Sequence, residues 1–400
     1  VRQCTMKRTG IHMKRKLREL APALAALLFI ACGSEPDTPD GGFSRAVQYL
    51  PDTRDVREAV WISDVAMQRE IFGVELPGPD ASDEDVIDYL IELGIDRGVS
   101  QDTNVPRGNR TGSQISGYGD FGSQVEDWRT SFGFTAVNVD LSIVSGVPPA
   151  TYNVLQGRFG LTDVDRAIRS DETWKDQLEE ESRKGVSYYS WADDYQQNLY
   201  ARSGARPLGR GGRMRVTEDV VFWTYATGDM HNLIDVSTNR DLALASNEDF
   251  ELLATIMDRE GVYAGLLSDA TESVEDKLAG VAGGYGMSPE QYVITERDYT
   301  PLALDPYDAY GAGASYDGSH YHIVIPLVYG EGEDAESNVL AAEKIFKEGE
   351  STLDCRAWST LFHSPEVRTE GRVLIATARV GNPSMWALMY NAQDFIFYHK

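Results

Sequence analysis

The sequence predicts an α+β protein: a mainly helical N-terminal region followed by two antiparallel-sheet units in tandem. Three observations carry this. Residues 43–148 place apolar side chains at helical spacing behind capping signals. Residues 149–270 alternate strand and helix patterns in the order β-α-β-β-α-β, with one extra strand. The same order returns over residues 271–400.

The helical region is clearest at Ser82-Asp83-Glu84-Asp85. Ser82 can cap a helix, and Asp85 three residues on completes a variant of the capping box. Val86, Ile87, Leu90 and Leu93 then form one apolar stripe, which Gly94 ends. Ser123 with Glu126 repeats the signal ahead of Trp128 and Phe132. Val60-Trp61-Ile62 reads as a short strand. Residues 95–120, rich in Gly, Asn, Ser and Thr, read as a long surface loop.

In the first sheet unit, Thr151–Phe159 is a strand that Gly160 breaks. Leu161, Val164 and Ile168 mark one helical face, and Val186–Trp191 is a second strand. Met214–Val216 and Val220–Tyr225 flank a turn and read as a hairpin. A helix over Phe250–Arg259 and a strand over Val262–Leu267 close the unit. In the second unit, a strand over His320–Tyr329 precedes a helix with Val339, Ala342, Ile345 and Phe346 on its apolar face. Strands over Cys355–Phe362 and Arg372–Val380, a helix over Ser384–Asn391 and a strand over Phe395–His399 follow. This order is that of ferredoxin-like units. Pro326 counts against it, because that motif sets its first strand in the sheet centre, where Pro is rare.

The N-terminal 31 residues have a different character. Lys14, Arg15, Lys16 and Arg18 precede an apolar run, Leu20–Ala31. At 12 residues this run is shorter than the ~20 that a membrane-spanning helix needs. It ends in Phe29-Ile30-Ala31-Cys32. The stretch resembles the lipobox signal peptide of bacterial lipoproteins. The resemblance implies a lipid on the Cys32 thiol, cleavage just before it, and acylation of the new amino terminus. Met13 is the expected translation start, with Met6 as the other candidate. Residues 32–42, rich in Pro, Gly and acid, read as a flexible tether. The resemblance further implies an extracytoplasmic protein held to the cell envelope. With Gly33 after the cysteine, that is the outer membrane of a diderm, or the outer face of the cell membrane of a monoderm.

The chain carries 63 acidic and 37 basic residues, a net charge of −26. Residues 1–31 hold seven of the basic and one of the acidic residues, so the remainder carries 30 against 62. Such a field repels phosphate backbones, and nucleic acid is not an expected partner. The cysteines are Cys4, Cys32 and Cys355. With Cys4 removed and Cys32 lipidated, Cys355 stands alone, and the fold is expected to rest on its core.

No G-x-S-x-G, Walker A, H-E-x-x-H, C-x-x-C or D-x-D-x-D-G sequence occurs, and no cofactor is expected. Arg202, Arg206, Arg210, Arg213 and Arg215 make a basic island around Gly209–Gly212, expected to form an internal salt-bridging loop, with an anion site as the alternative. Two clusters are candidate sites. Tyr188, Tyr189, Trp191 and Tyr195, with Tyr200 beyond them, can stack on a sugar or line a protein interface, since such side chains pair apolar bodies with polar tips. His320 and His322 lie two apart on a strand and share a face; with Asp317 they form a set able to ligate a transition metal. The expected function is a non-catalytic binding or structural role for a lipid-anchored protein, with a protein or glycan as partner. The alternative is a lipid-anchored metal-dependent hydrolase using His320 and His322.

Overall fold

Residues 41–78, 80–95, 125–203, 206–271, 273, 302–351, 356–391 and 396–400 are described in a computed structural model. Cys32 and Cys355, and most of the loop read over 95–120, lie outside them.

Helices α1 (Gly42–Tyr49) and α2 (Arg54–Arg57) lead into strand β1 (Val60–Asp64). Helices α3 (Val65–Phe72), α4 (Asp83–Glu92) and α5 (Val125–Phe132) follow. Ser82 and Asp85 form the expected capping box on α4. The hairpin β2 (Val139–Ser145) and β3 (Tyr152–Gly157) leads through α6 (Leu161–Ser170) to β4 (Leu178–Arg183), β5 (Val186–Trp191), β6 (Gly212–Val216) and β7 (Val220–Thr224). After α7 (Thr227–Thr238) and α8 (Glu248–Arg259) come β8 (Val262–Ser268), β9 (Ala309–Tyr316) and β10 (Tyr321–Val328). The chain closes with α9 (Gly332–Ser337), α10 (Val339–Glu348), β11 (Phe362–Glu370), β12 (Val373–Val380) and α11 (Met385–Asn391).

The twelve strands form one sheet in the order β11-β12-β10-β9-β8-β1-β2-β3-β7-β6-β5-β4, with every pairing antiparallel. This corrects the expected helical region followed by two ferredoxin-like units. β1 and β2 lie within the supposed helical region, and β1 pairs with β8 to join the two halves. Sequence reading missed β2, whose alternating Val139, Leu141 and Ile143 fell inside the supposed helical region, and three strands with atypical composition. β4 carries Glu179, Glu180 and Glu181; β9 is built of Gly, Ala and Ser; β11 is polar and holds Pro365. The strand expected over Cys355–Phe362 is, where described, a short 3-10 turn at Trp358–Thr360. At the C terminus His399 makes only isolated bridges, with Ser273 and Leu304.

The sheet has an internal two-fold order about the β1–β8 pair. One side runs β1-β2-β3-β7-β6 and the other β8-β9-β10-β12-β11. The first side is extended by the β4–β5 hairpin. The outer strands resist further pairing. β4 presents charge, and β11 carries a register shift between His363 and Glu366 at Ser364-Pro365.

Both faces are covered. One bears a core from α1, α7 and α8 against Ile62, Leu141, Val154, Phe222, Val324 and Ile375. The other carries two cores: one with Trp128, Trp174, Trp191 and Trp223 under α4–α6, and one with Tyr263, Ile325, Phe346 and Trp386 under α10 and α11. Each fully buried Leu, Ile, Val or Phe contributes about 1.5–3 kcal/mol.

α8 sits close to the sheet because three glycines make room for it. A Cβ at Gly265 or Gly313 would lie 2.9 Å from Met257 Cε, and one at Gly311 would lie 3.4 Å from Met257 Sδ. Next to Met257, Asp258 accepts from the backbone N–H groups of Phe43 (2.9 Å) and Ser44 (2.8 Å), capping α1. Asp64 caps α3 through Met67 N (2.8 Å) and faces Arg45. Burial pushes the Asp64 carboxyl up. The N-terminal entry is thereby fixed at the Asp64 end of β1.

Gly313→Ala should cost roughly 1–3 kcal/mol, because its Cβ would meet Val262, Ala264 and Met257 at under 3.0 Å. Gly228→Ala on α7, with open space at its Cβ, should be neutral or stabilising by up to ~1 kcal/mol. Urea midpoints read both; equal losses would mean that α8 does not depend on the glycine bed.

Candidate functional site

Between β5 and β6 the chain runs out from Trp191 and returns at Gly212, which pair with each other. Three non-glycine residues here, Ala192, Tyr195 and Leu208, have left-handed backbone, with φ of 61°, 58° and 60°. Such strain persists only where surrounding contacts hold it. Arg213, 5% exposed, pairs with Asp194 at 2.7 Å and donates to Thr227 Oγ1 at 2.9 Å. Asp194 also accepts from Thr227 N at 2.9 Å, at the start of α7. Tyr195 N donates to Tyr225 O. Arg206 stacks 4.2 Å over the Trp174 ring, and Arg210 4.8 Å over Tyr225. Gly209 is obligatory, since a Cβ would lie 1.8 Å from Asn198 O. The braced segment holds Leu199 and Tyr200 out in solvent, 63% and fully exposed.

The basic island is thus seated mostly on aromatic rings. Arg215 follows the same rule, 5.5 Å over Phe222, and of the five only Arg213 makes an ion pair among the described residues. The expectation of an internal salt-bridging loop is met at that one residue.

The four aromatics read from the sequence divide between the faces. Tyr188 is buried in the core beneath α7; its hydroxyl donates to Glu181 (2.8 Å) and lies 3.1 Å from His231 Nε2. Tyr195, half-exposed, donates to Asp229 Oδ2 at 3.2 Å. Tyr189 and Trp191 belong to the other face. The Tyr189 hydroxyl donates to Asp165 at 2.6 Å, and Trp191 packs against Trp174 with ring centroids 4.7 Å apart. Alternation along β5 forces this division.

Asp229, missed in the sequence, is the centre of what Tyr195 reaches. It is 8% exposed and also accepts from Tyr152 at 3.3 Å, and Asn232 donates to the Tyr152 hydroxyl at 3.2 Å. Burial pushes the Asp229 carboxyl up, against the pull of the two tyrosine bonds. Burial first, and the Asp229 charge next to it, push Tyr195 up to about 12; burial likewise takes Tyr152 to about 12. The arrangement offers hydrogen bonds and aromatic surface and lacks an activated nucleophile. The only sequence signal for Asp229 is its place in the first turn of a helix.

His320, His322 and Asp317 do come together, in the turn between β9 and β10. Asp317 Oδ1 accepts from Ser319 N and His320 N, both at 2.8 Å; Oδ2 lies 2.9 Å from His322 Nε2 and 3.8 Å from His320 Nδ1. These bonds, the His320 N–H first, hold the Asp317 carboxyl far below the usual range. The carboxylate serves the turn. Among the described residues, no group of three or more His, Cys, Asp or Glu is placed to hold a metal. Asp305 lies elsewhere, paired with Lys400, and Asp308 bonds the far end of the β9–β10 hairpin through Val328.

Two surface concavities flank α4–α6. One of about 470 Å³ is lined by Glu75, Asp80, Asp85, Asp88 and Glu92. The other, of about 680 Å³, carries Arg129, Arg166, Asp163 and Asp171.

A carboxyl raised by folding is protonated more readily folded than unfolded. Its ionisation therefore costs stability as pH climbs from about 3.8, the ordinary value, through the folded pKa. The stability of Asp229→Asn relative to the parent should be flat below pH ~3.8 and rise through that window. Urea midpoints from pH 3 to 7 read this, and a flat difference throughout would show that Asp229 titrates normally.

No known protein family matches the chain, and no curated protein matches it by sequence. Among solved structures, crystal form III of TP0453 aligns with a TM-score of 0.36 and 9% identity, covering 87% of this chain and 98% of that one. Crystal form I of TP0453 aligns with a TM-score of 0.34 and 7% identity, covering 88% and 97%.

Proposed function

We propose that this chain is a lipid-anchored extracytoplasmic protein with a non-catalytic binding or structural role at the cell envelope. It holds a protein or glycan partner at the end of the sheet carrying Tyr195, Leu199 and Tyr200. The supporting observation is one of placement. α1 enters at the Asp64 end of β1, against Asp258. Strand register carries the other end of β1 to the aromatic segment: Val60 pairs with Ser145, Ser145 with Tyr152, Tyr152 with Thr224, Thr224 with Arg213, and its neighbour Gly212 with Trp191. Leu199 and Tyr200 therefore project from the end opposite the entry of the chain.

Among the described residues no helix is long and apolar enough to cross a membrane, so attachment in this reading falls to the lipid. The strongly acidic chain disfavours nucleic acid as the partner.

Cys32→Ser should move the protein from the detergent phase to the soluble extracytoplasmic fraction. A variant that still partitions like the parent would refute the anchor. Elemental analysis should find no stoichiometric zinc. About one zinc per chain, lost when His320 and His322 are both changed to Ala, would replace the binding reading with the hydrolase.

A further inference from the structure

From Asp193 to Tyr200 every residue is exposed. The stretch runs into a 3-10 turn, Leu199–Ala201, which packs against a second one, Pro207–Gly209. Asn198 N donates to Gly209 O at 3.1 Å, and Gln197 bridges to Arg210, so the two turns are held together. Tyr200 is fully exposed and Leu199 63% exposed, with Tyr195 and Leu208 at 38% and 36%. These apolar groups stand on a projection with solvent around it.

A chain of net charge −26 repels its own copies over most of its surface. The repulsion is relieved at this segment. From Tyr195 to Thr217 the sequence carries five arginines and no acid. Of the two aspartates that lead into it, Asp194 is neutralised by Arg213 at 2.7 Å. That leaves Asp193 and Arg202, both exposed and, among the described residues, in no ion pair. They carry opposite charges and lie on either side of Leu199 and Tyr200 along the chain. A two-fold axis across the segment reverses its order in a second copy. The Asp193 side of each copy then meets the Arg202 side of the other, the self-complementarity that a two-fold interface requires.

We propose that the partner held at this end of the sheet is a second copy of the chain. The two copies pair about a two-fold axis through Leu199 and Tyr200, with Asp193 of each facing Arg202 of the other. The proposal rests on the reading of this end as the partner surface. A tyrosine can bury about 150–250 Å². Even with Leu199, Tyr195 and Leu208 added to Tyr200, the contact stays below the ~800 Å² per partner of a standard interface. The dimer is therefore weak and grows with concentration. A two-fold contact closes on itself, so association stops at two chains.

Sedimentation equilibrium of the soluble Cys32→Ser chain, from micromolar to near-millimolar concentration, should show monomer and dimer without larger species. Tyr200→Ser, at a fully exposed position that the fold does not use, should weaken pairing about tenfold or more. Arg202→Glu should weaken it too, and Asp193→Arg in the same chain should restore it. A monomer at every concentration, a dimer untouched by Tyr200→Ser, or a double exchange that restores nothing would overturn the self-pairing. A photo-crosslinking residue in place of Tyr200, activated in the producing cells, separates that failure from failure of the partner surface itself. An adduct at the mass of two chains supports the proposal. An adduct of another mass overturns the self-pairing and keeps the surface for a foreign partner, and no adduct overturns both.

Discussion

The ladder between β1 and β8 holds the two halves together. It joins Val60–Ser63 to residues some 200 positions away, Leu267–Ala264. Both strands are central, so each needs cover on both faces, and β8 is buried along its whole length. That requirement explains the layers. α1 and α8 lie over one face at the junction, while the other is shared by two separate cores. It also explains the glycines at 265, 311 and 313, since a helix packed over two adjacent strands needs small residues beneath it.

A chain with so many acids has to place them where charge is useful. Several work at helix starts, where exposed N–H groups and the helix dipole favour negative charge. Asp64, Asp85, Asp194 and Asp258 all serve in this way. Others tie α8 to the distant edge of the sheet: Arg368 joins Glu260 at 2.6 Å, Arg259 joins Glu370 at 2.6 Å, and Arg372 joins Asp249 at 2.6 Å. These pairs are partly exposed and each contributes little, yet together they set how α8 lies across β11 and β12.

The arginines between β5 and β6 show how sequence and packing can point to different roles. Read along the chain, five arginines among glycines suggest charge pairing. In the folded chain, rings from two other stretches, Trp174 and the pair Phe222 and Tyr225, take most of them by stacking. The result is a projecting segment whose Leu199 and Tyr200 face water.

The sequence by itself determined the elements whose pattern is local. The capping box at Ser82, the apolar face of α8 and the apolar runs of β3, β5, β7, β10 and β12 are each legible within about ten residues. It also brought out the nearness of Asp317 to His322, which follows from turn geometry, whereas the aromatics of 188–195 are split between the two faces of the sheet. Only the tertiary structure decided that the strands join in one sheet. Pairing partners are chosen by contacts far apart in sequence, and β4, β9 and β11 become strands because neighbours satisfy their backbone, whatever their composition. The same holds at the candidate sites. Asp229 gains its meaning from Tyr152 and Tyr195, and Arg206 from Trp174, and none of these contacts leaves a mark in the local pattern of the chain.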